Sequence, residues 1–318
     1  MSSVIEVKHL VKRYKKSTVN AVDDVSFSVA EGEFFTLLGP NGAGKTTIIS
    51  ILTTTLTKTS GAVTIAGRDS DAQASAIRKD IGVIFQAPSI DLNLTAEENI
   101  RLHACLYGLY TFMPLFLLMS EEYQKRVFSL TDVVGIKDVL FTPIKTFSGG
   151  MKRKLEIVRS LMHRPKVLFL DEPTTGLDPV SRRNLWDYLH DVRKKERTTI
   201  FLTTHYLDEA EEADHVCVID EGKVLLYGTP ADMKGKLVQE YLLLDAKDRE
   251  ALKRDIEPWG SRLVDGRPLR LRLGEGVEAQ EIIRSISVPL SFLDIERPTL
   301  EEAYVTLVAK NSEEEIAV

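Results

Sequence analysis

The segment Gly39–Thr46 reads Gly-Pro-Asn-Gly-Ala-Gly-Lys-Thr and comes directly after the apolar run Phe34–Leu38. It leads into Thr46–Leu56, an apolar and threonine-rich run that is compatible with a helix. This order constrains the fold more than any other feature, because a glycine-rich loop of this pattern needs a strand before it and a helix after it. The glycines let backbone N–H groups approach phosphate oxygens, and the helix N-terminus adds partial positive charge. The segment is therefore predicted to bind phosphate, and a plain glycine-rich turn is the alternative.

The residues of this loop have separate expected roles. Lys45 is expected to reach the outer phosphates of a nucleotide, Thr46 to supply an oxygen ligand to Mg²⁺, and Thr47 to add a phosphate hydrogen bond. The residues expected to contact the nucleotide in this loop are Gly39, Pro40, Asn41, Gly42, Ala43, Gly44, Lys45, Thr46 and Thr47.

Short apolar runs without alternation predict strands that are covered on both faces of a parallel sheet. Besides the run before the loop, they are Ile81–Phe85, Val167–Leu170 and Thr199–Leu202. Two further runs, Val216–Ile219 and Val224–Tyr227, flank an Asp-Glu-Gly-Lys turn and predict a hairpin.

Two carboxylates, Asp171 and Glu172, follow directly on the run Val167–Leu170. Open parallel sheets bind ligands at the carboxyl ends of their strands. We expect Asp171 to hold Mg²⁺, and Glu172 to orient and activate water against the outer phosphate. On its own this pattern is weak, because an ordinary strand end can also carry two acids.

A predicted amphipathic helix follows the sequence Thr146-Phe147-Ser148-Gly149-Gly150-Met151. Ser148 is a plausible N-cap for it, and the N–H groups of its first turn form an anion site. Here the sequence resembles the signature motif of the ATP-binding cassette family. That motif usually has Leu where this chain has Phe147 and often Gln where it has Met151. Both departures leave Ser148, Gly149 and Gly150 intact.

The resemblance runs from about Val4 to Thr229 and implies roles for further residues. Tyr14 is similar to the aromatic residue that stacks on adenine, and Gln86 is similar to the glutamine that contacts Mg²⁺ and the partner subunit. The segment Gly176-Leu177-Asp178 resembles the loop that crosses the dimer interface, which gives Asp178 its expected role. His205 resembles the switch histidine. The implied cofactors are ATP and Mg²⁺.

The resemblance also implies an α/β fold of the P-loop NTPase class. It has a RecA-like parallel sheet core, an antiparallel β subdomain and an inserted helical subdomain at about residues 87–165. The nucleotide-binding domain is expected to span residues 1–232. A small α+β accessory or regulatory domain is expected at residues 233–318, because the character of the sequence changes after about Pro230.

Alternating strand-like and helix-like runs are predicted in this second domain. The strands are expected at Tyr241–Leu244, Leu269–Leu273 and Ser291–Ile295, and the helices at Arg249–Ile256, Val277–Ile286 and Leu300–Val308. Thr299 and Glu302 form a capping-box pattern for the last helix. The ending Arg297–Tyr304 is similar to the close of export-type subunits such as the daunorubicin-resistance ATPases, which favours export.

Composition narrows the class of protein further. The net charge is -6 and the pI about 5.7, so no overall positive field attracts nucleic acid. The cysteines, Cys105 and Cys217, lack disulfide-framework or zinc spacing, which fits a reducing compartment. No apolar signal-peptide core begins the chain.

One stretch, between Arg101 and Glu121, carries no acidic or basic residue other than histidine. Its length approaches that of a membrane-spanning helix, but Gly108 and Pro114 interrupt it. A buried or partner-facing helical region is favoured over a span. Leu102–Met119 is also a candidate contact for membrane subunits, with an ordinary buried helix as the alternative.

In the family that the chain resembles, two such domains pack head to tail with ATP between them. The expected partners are a second copy or a paired ATPase subunit, together with integral membrane permease subunits. The expected location is the cytoplasmic face of the membrane. A soluble ATPase of translation or DNA repair is an alternative, and so is an ATPase that drives mechanical signalling or lipoprotein extraction. Drug, lipid and polysaccharide remain open as cargo.

Overall fold

The computed structural model describes residues 3–86, 89–237, 240–264, 266–274, 279–296 and 299–304. The contacts within the chain divide it into two units, Met1–Gly228 and Thr229–Val318. The sequence-based boundary at residue 232 falls inside the first helix of the second unit, Pro230–Leu237.

The first unit contains ten strands and seven α-helices among the described residues. The strands are β1 (Ser3–Lys12), β2 (Val22–Ala30), β3 (Phe34–Leu38), β4 (Ser60–Ile65), β5 (Arg68–Asp69), β6 (Ile81–Ile84), β7 (Val167–Asp171), β8 (Thr199–Thr204), β9 (His215–Asp220) and β10 (Lys223–Gly228). The helices are α1 (Lys45–Leu52), α2 (Ala74–Asp80), α3 (Ala96–Leu106), α4 (Glu121–Val133), α5 (Gly149–Leu161), α6 (Pro179–Glu196) and α7 (Leu207–Ala210). Short 3-10 turns lie at Phe116–Leu118, Lys137–Val139 and Ile144–Thr146.

Six strands form the main sheet, in the order β10-β9-β3-β8-β7-β6. All neighbours in it are parallel except the edge pair β9 and β10, which form the predicted hairpin. A second sheet, β2-β1-β4-β5, is antiparallel. The predicted P-loop NTPase class, with a parallel core and an antiparallel β subdomain, is confirmed.

A buried aromatic cluster lies at the centre of this unit. Phe201 of β8 contacts Phe35, Phe169 and Phe27, with ring centroids 5.0, 5.3 and 6.1 Å apart. The core strands have no solvent-facing side, because elements cover both faces of the sheet, and this explains their unbroken apolar sequences.

The charge-free stretch differs from its prediction. Helix α3 ends at Leu106, Gly108 follows with φ +69°, and no helix returns until the short turn Phe116–Leu118. The prediction of one helical region is therefore wrong, since a left-handed glycine ends the helix. Most of the stretch is exposed, with Leu106 and Leu117 at 78% and 81%, so the buried alternative is not observed and the partner-facing one stays a prediction. Within the described ranges, no helix combines the length and apolar character that crossing a bilayer requires.

The second unit begins with α8 (Pro230–Leu237) and continues as a four-stranded sheet with two further complete α-helices and helical residues 300–304 among its described residues. These elements are β11 (Tyr241–Ala246), α9 (Arg249–Asp255), β12 (Leu263–Val264), β13 (Leu269–Arg272), α10 (Ala279–Ser285) and β14 (Leu290–Glu296). The strand order β12-β13-β11-β14, antiparallel throughout, is that of a ferredoxin-like β-α-β-β-α-β unit.

The predicted strands and the first predicted helix of this unit are confirmed, and β12 was not predicted. The second and third predicted helices are confirmed over their described residues, at Ala279–Ser285 and 300–304. The capping box is present, since the N–H of Glu302 donates to Thr299 Oγ1 at 3.2 Å and the N–H of Thr299 donates to the Glu302 carboxylate at 3.0 Å. Residues 277–278, 297–298 and 305–308, which belong to predicted segments, lie outside the described residues.

Candidate nucleotide-binding and hydrolysis site

The phosphate loop requires glycine at two positions for steric reasons. Gly44 has φ +103°, and a Cβ there would meet the carbonyl oxygen of Ala21 at 2.6 Å. A Cβ on Gly39 would meet the carbonyl oxygen of Ile219 at 2.3 Å. The loop is therefore clamped against neighbouring backbone and ends at the N-terminus of α1, where free N–H groups and the helix dipole favour an anion.

Lys45 is the first residue of α1, and its side chain turns back over the loop. Its ammonium donates to the carbonyl oxygens of Gly39 at 2.7 Å and Pro40 at 2.9 Å, and the residue is only 5% exposed. Burial lowers the pKa of Lys45, while the negative charges of Glu172 and Asp171 oppose that shift. The cation is thus held in a fixed position at the mouth of the loop.

Asp171 ends β7 and is 4% exposed. The hydroxyl of Thr203, on the adjacent strand β8, donates to Asp171 Oδ1 at 2.6 Å. Burial raises the pKa of Asp171, and the hydrogen bond from Thr203 counteracts part of that rise. The carboxylate is therefore oriented by a neighbour that sequence analysis did not assign.

Glu172 leaves the strand in a left-handed backbone conformation, with φ +44°. Such a conformation is strained for a residue with a side chain and is maintained only by its surroundings. Here the Glu172 N–H donates to the backbone oxygen of Thr203 at 3.1 Å. The turn directs the Glu172 carboxylate away from the strand axis and toward the phosphate loop, 3.6 Å from the Lys45 ammonium.

Three further side chains surround the Glu172 carboxylate. His205 Nδ1 lies 3.2 Å from Oε1, while Gln86 Nε2 and Thr175 Oγ1 each donate to Oε2 at 3.4 Å. Glu172 is thus contacted from the ends of β6 and β8 as well as from its own loop, as expected at the carboxyl edge of a parallel sheet.

A cavity of about 510 Å³ is lined by half of the predicted site residues. Its lining includes the predicted residues Asn41, Gly42, Gly44, Lys45, Thr46, Thr47, Gln86, Glu172 and His205. Sequence analysis missed Ala21, Thr175 and Tyr206, which complete the lining. Thr175 and Tyr206 each lie close to a predicted residue in the sequence, and that proximity was the only signal available.

Tyr14 lies beside this cavity and not in its lining. Its hydroxyl is 3.2 Å from Thr47 Oγ1, and the residue is 45% exposed. The ring therefore stands in solvent next to the phosphate loop, where a planar base can reach it.

The serine-glycine segment is not brought to the same cavity. Ser148 caps α5 as predicted, since its hydroxyl accepts from the N–H of Met151 at 3.2 Å. Ser148 and Gly149 are exposed, and Ser148 and Gly150 line a separate pocket of about 80 Å³ together with Leu177.

Asp178 caps the neighbouring helix α6, since its carboxylate accepts from the N–H groups of Val180 and Ser181 at 3.0 Å. The side-chain hydrogen bond from Ser181, aided by the backbone bonds, lowers the pKa of Asp178. The two exposed helix starts, at Ser148 and Asp178, are thus neighbours on one surface, as the shared contact with Ser181 indicates.

Oxygen-donor residues in the lining of the main cavity, together with the buried Asp171 outside that lining, suit Mg²⁺. The described residues contain no cluster of three His, Cys, Asp or Glu side chains that could hold a metal ion. Mg²⁺ is usually bound through one or two carboxylates, substrate phosphates and water. The hydroxyl of Thr46, the amide oxygen of Gln86 and the buried carboxylate of Asp171 supply hard oxygen ligands of that kind.

The fold and this site together define a P-loop nucleotide-hydrolysing module. The sequence model described as ABC transporter matches residues 22–175. The doxorubicin resistance ATP-binding protein DrrA of Mycobacterium tuberculosis is 33% identical, over 97% of this chain and 95% of that protein. The daunorubicin/doxorubicin resistance ATP-binding protein DrrA of Streptomyces peucetius is 36% identical, over 91% and 90%.

Solved structures agree with this assignment. The cbiO1 protein of Clostridium perfringens, part of the ABC transporter complex cbiONQ, has a TM-score of 0.66 and 25% identity over 82% of this chain and 97% of its own. A dimeric ATP-binding cassette bound to ADP and Pi in a post-hydrolysis state has a TM-score of 0.61 and 25% identity, over 71% and 98%. The chain belongs to the ATP-binding subunits of the ABC transporter family, and its activity is ATP hydrolysis.

Proposed function

We propose that two copies of the chain, or one copy and a paired ATPase subunit, clasp two ATP molecules head to tail. Each nucleotide lies between the phosphate loop of one subunit and the Ser148–Gly150 segment of the other. One observation carries this proposal: the capped start of α5 is exposed and lies outside the cavity formed by its own chain's phosphate loop. The N–H groups of such a helix start favour an anion. When a second subunit packs against the first, the phosphate loop of one chain and the start of α5 of the other can bind the same ATP. The existence of a dimeric cassette among similar structures supports this arrangement.

Within each site, different residues of the chain have different proposed roles in ATP hydrolysis. Lys45 and the loop N–H groups bind the outer phosphates, Tyr14 stacks on the base, and Glu172 orients and activates the attacking water. His205 lies against the Glu172 carboxylate and is assigned to sense the outer phosphate. Asp178 belongs to the surface between the two subunits.

Thr46, Gln86 and Asp171 would hold Mg²⁺. The ion, when bound, supplies charge neutralisation for the phosphate oxygens. The hydrogen bond from Thr203 keeps the Asp171 carboxylate oriented for that task.

ATP-driven closure of such a pair performs transport only through membrane subunits. The exposed apolar segment 102–118 is the proposed contact for them, because its large side chains are unusually accessible. Those exposed by more than half are Leu106, Phe112, Leu115, Leu117 and Leu118. Contiguous apolar surface of this kind is typical of a protein or membrane interaction site. The proposed location is accordingly the cytoplasmic face of the membrane.

Export is the proposed direction of transport. Relatives include drug-resistance ATP-binding proteins and a Nod factor export ATP-binding protein of Ralstonia nicotianae, 35% identical over 87% of this chain. The drug-resistance names favour a drug as cargo, while lipid and polysaccharide stay open, and the relatives do not favour a soluble ATPase of translation or repair.

The assembly can be tested with Glu172→Gln protein, in which hydrolysis is slowed. We expect ATP with Mg²⁺ to convert monomer to dimer in light scattering, and a photoreactive ATP analogue to label the Ser148 segment of the opposite subunit. Mixing a tagged with an untagged copy identifies which chain is labelled. A protein that binds ATP but stays monomeric, with label confined to one chain, contradicts the proposal.

A further inference from the structure

A buried arginine connects α5 to both halves of the hydrolysis site. Arg153 lies in the second turn of α5 and is 7% exposed. Its Nη1 donates to the backbone oxygen of Phe85 at 2.8 Å. Its Nε donates to the backbone oxygen of Pro173 at 3.1 Å, and its Nη2 to that of Asp171 at 3.3 Å. A single guanidinium therefore fixes three backbone carbonyls on two different segments.

Those carbonyls flank the residues assigned to chemistry. Phe85 immediately precedes Gln86, and Asp171 and Pro173 stand on either side of Glu172. Among the described residues, no hydrogen bond or ion pair links Arg153 to the side chain of Gln86 or Glu172, but Arg153 fixes the backbone from which each of them projects. The planar, forked guanidinium suits this task, because its donors point in fixed directions.

Glu156, three residues further along α5, completes the connection. One of its carboxylate oxygens lies 3.1 Å from Arg153 Nη1, and the other accepts from the N–H of Ser89 at 2.9 Å. Arg159 also donates to Ser89. Helix α5 is thus bonded on both sides of Gln86. Glu156 is 2% exposed, so it also supplies the opposite charge that a buried arginine requires.

We propose that Arg153, held by Glu156, is a positioning residue. It fixes the positions of Gln86 and Glu172 relative to each other and to α5. The inference rests on the proposed function in one respect, that the start of α5 binds the nucleotide held by the opposite subunit. Movement of α5 on that nucleotide is transmitted through Arg153 to the carbonyls beside Gln86 and Glu172. Each chain's own hydrolytic residues are then aligned only when its partner's nucleotide is engaged.

The test compares ATP turnover of Arg153→Met with that of Arg126→Met. Arg126 is a matched control, because it is also a buried arginine, pairs with Glu196 at 2.7 Å and donates to the backbone oxygen of Leu161 at the other end of α5. Misplacing a catalytic group by about 1 Å can cost up to about 100-fold in rate. We expect Arg153→Met to lower kcat about 10- to 100-fold while the KM for ATP changes less than about threefold. Arg126→Met is expected to lower the Tm but to retain kcat per folded molecule.

A double-mutant cycle with Gln86→Ala separates positioning from a general loss of structure. If Arg153 acts through Gln86, Arg153→Met costs less in the Gln86→Ala background than in the parent. Arg126→Met is expected to have the same effect in both backgrounds. Arg153→Lys retains charge without the fork, is the safer variant for folding, and is expected to give an intermediate kcat.

A folded Arg153→Met or Arg153→Lys protein with the parent's kcat overturns the inference. So does strict additivity with Gln86→Ala, or an equal loss of kcat in Arg126→Met. The assay of ATP-driven dimerisation in Glu172→Gln protein reports on the proposed function separately. If the parent and Arg153→Met dimerise and hydrolyse ATP equally well, the role of Arg153 is rejected while the proposed function stands.

Discussion

The ammonium of Lys45 lies 3.6 Å from Oε1 of Glu172, so the phosphate loop and the carboxyl end of β7 meet through an ion pair. Both side chains are largely buried, at 5% and 13% exposure. A pair in such surroundings interacts more strongly than it would in water. The position where a nucleotide's outer phosphate is expected is therefore bounded by a cation on one side and a base on the other.

Replacing Glu172 by Gln is expected to reduce ATP turnover by about 100-fold or more, because an amide cannot accept a proton from the attacking water. The volume of the side chain is unchanged, so ATP binding is expected to persist. Phosphate release measures the first effect and equilibrium binding of labelled ATP the second. Glu122→Gln, at an exposed position of α4, serves as the control. Parental turnover in Glu172→Gln protein would remove Glu172 from its assigned role.

Replacing Lys45 by Ala is expected to weaken nucleotide binding itself. The ammonium is held between two loop carbonyls, so its loss removes a positioned charge without an obvious substitute. Loss of one charge-assisted hydrogen bond costs about 1.5 to 3 kcal/mol, which is a rise in Kd of roughly 10- to 100-fold. Titration with a fluorescent ATP analogue measures it. Lys166→Ala, at a half-exposed residue near Asp80, is expected to bind the analogue as the parent does.

The phosphate loop could be predicted because its physical requirements are local. The left-handed φ of Gly44 is a requirement of the loop's own backbone, and Lys45 hydrogen-bonds to carbonyls within a few residues of it. Asp171 and Glu172 were predictable for a similar reason, since they end a strand whose apolar sequence identifies it as buried. Contacts between distant segments leave no such local trace. The hydrogen bond from Thr203 to Asp171 and the three carbonyl bonds of Arg153 exist only once the sheet and α5 have assembled.

The charge-free stretch shows the opposite failure, in which a local pattern was overinterpreted. Apolar composition predicted a helical region that is buried or faces a partner, but Gly108 ends α3 and most side chains up to Leu118 remain accessible. An apolar sequence indicates that the side chains prefer apolar surroundings. It does not specify whether those surroundings are the core of the same chain or the surface of a partner.

Replacing Leu117 and Leu118 together by Lys is expected to weaken assembly with the membrane subunits. These residues are 81% and 56% exposed, so the change costs little folding stability but places charge on a proposed apolar contact. Co-purification with a membrane protein encoded beside this gene measures assembly, and ATP hydrolysis by the isolated chain checks its integrity. Phe292→Lys, at a 44% exposed residue of β14, is the matched control. Unchanged co-purification of the double variant would argue against this contact.

Acid stability should depend on a buried imidazole. His103 in α3 packs against Tyr107 with ring centroids 4.4 Å apart and the rings tilted by 35°, and its Nε2 has no hydrogen-bond partner among the described residues. Burial lowers the pKa of His103 to about 3, and the nearby charges of Arg159 and His163 act in the same direction. An unfolded histidine has a pKa of about 6.5.

Between these two pKa values the unfolded chain binds a proton at His103 and the folded chain does not. The free energy of unfolding therefore falls as pH decreases from about 6.5 toward 3, by up to about 1.4 kcal/mol per pH unit from this residue. His103→Phe keeps a ring against Tyr107 but cannot titrate. We expect urea midpoints measured from pH 7.5 to 5 to decline less steeply for His103→Phe than for the parent. His163, whose pKa burial also lowers, is present in both proteins, so the difference between the two curves isolates His103. Parallel curves would show that His103 is already protonated in the folded chain or titrates alike in both states.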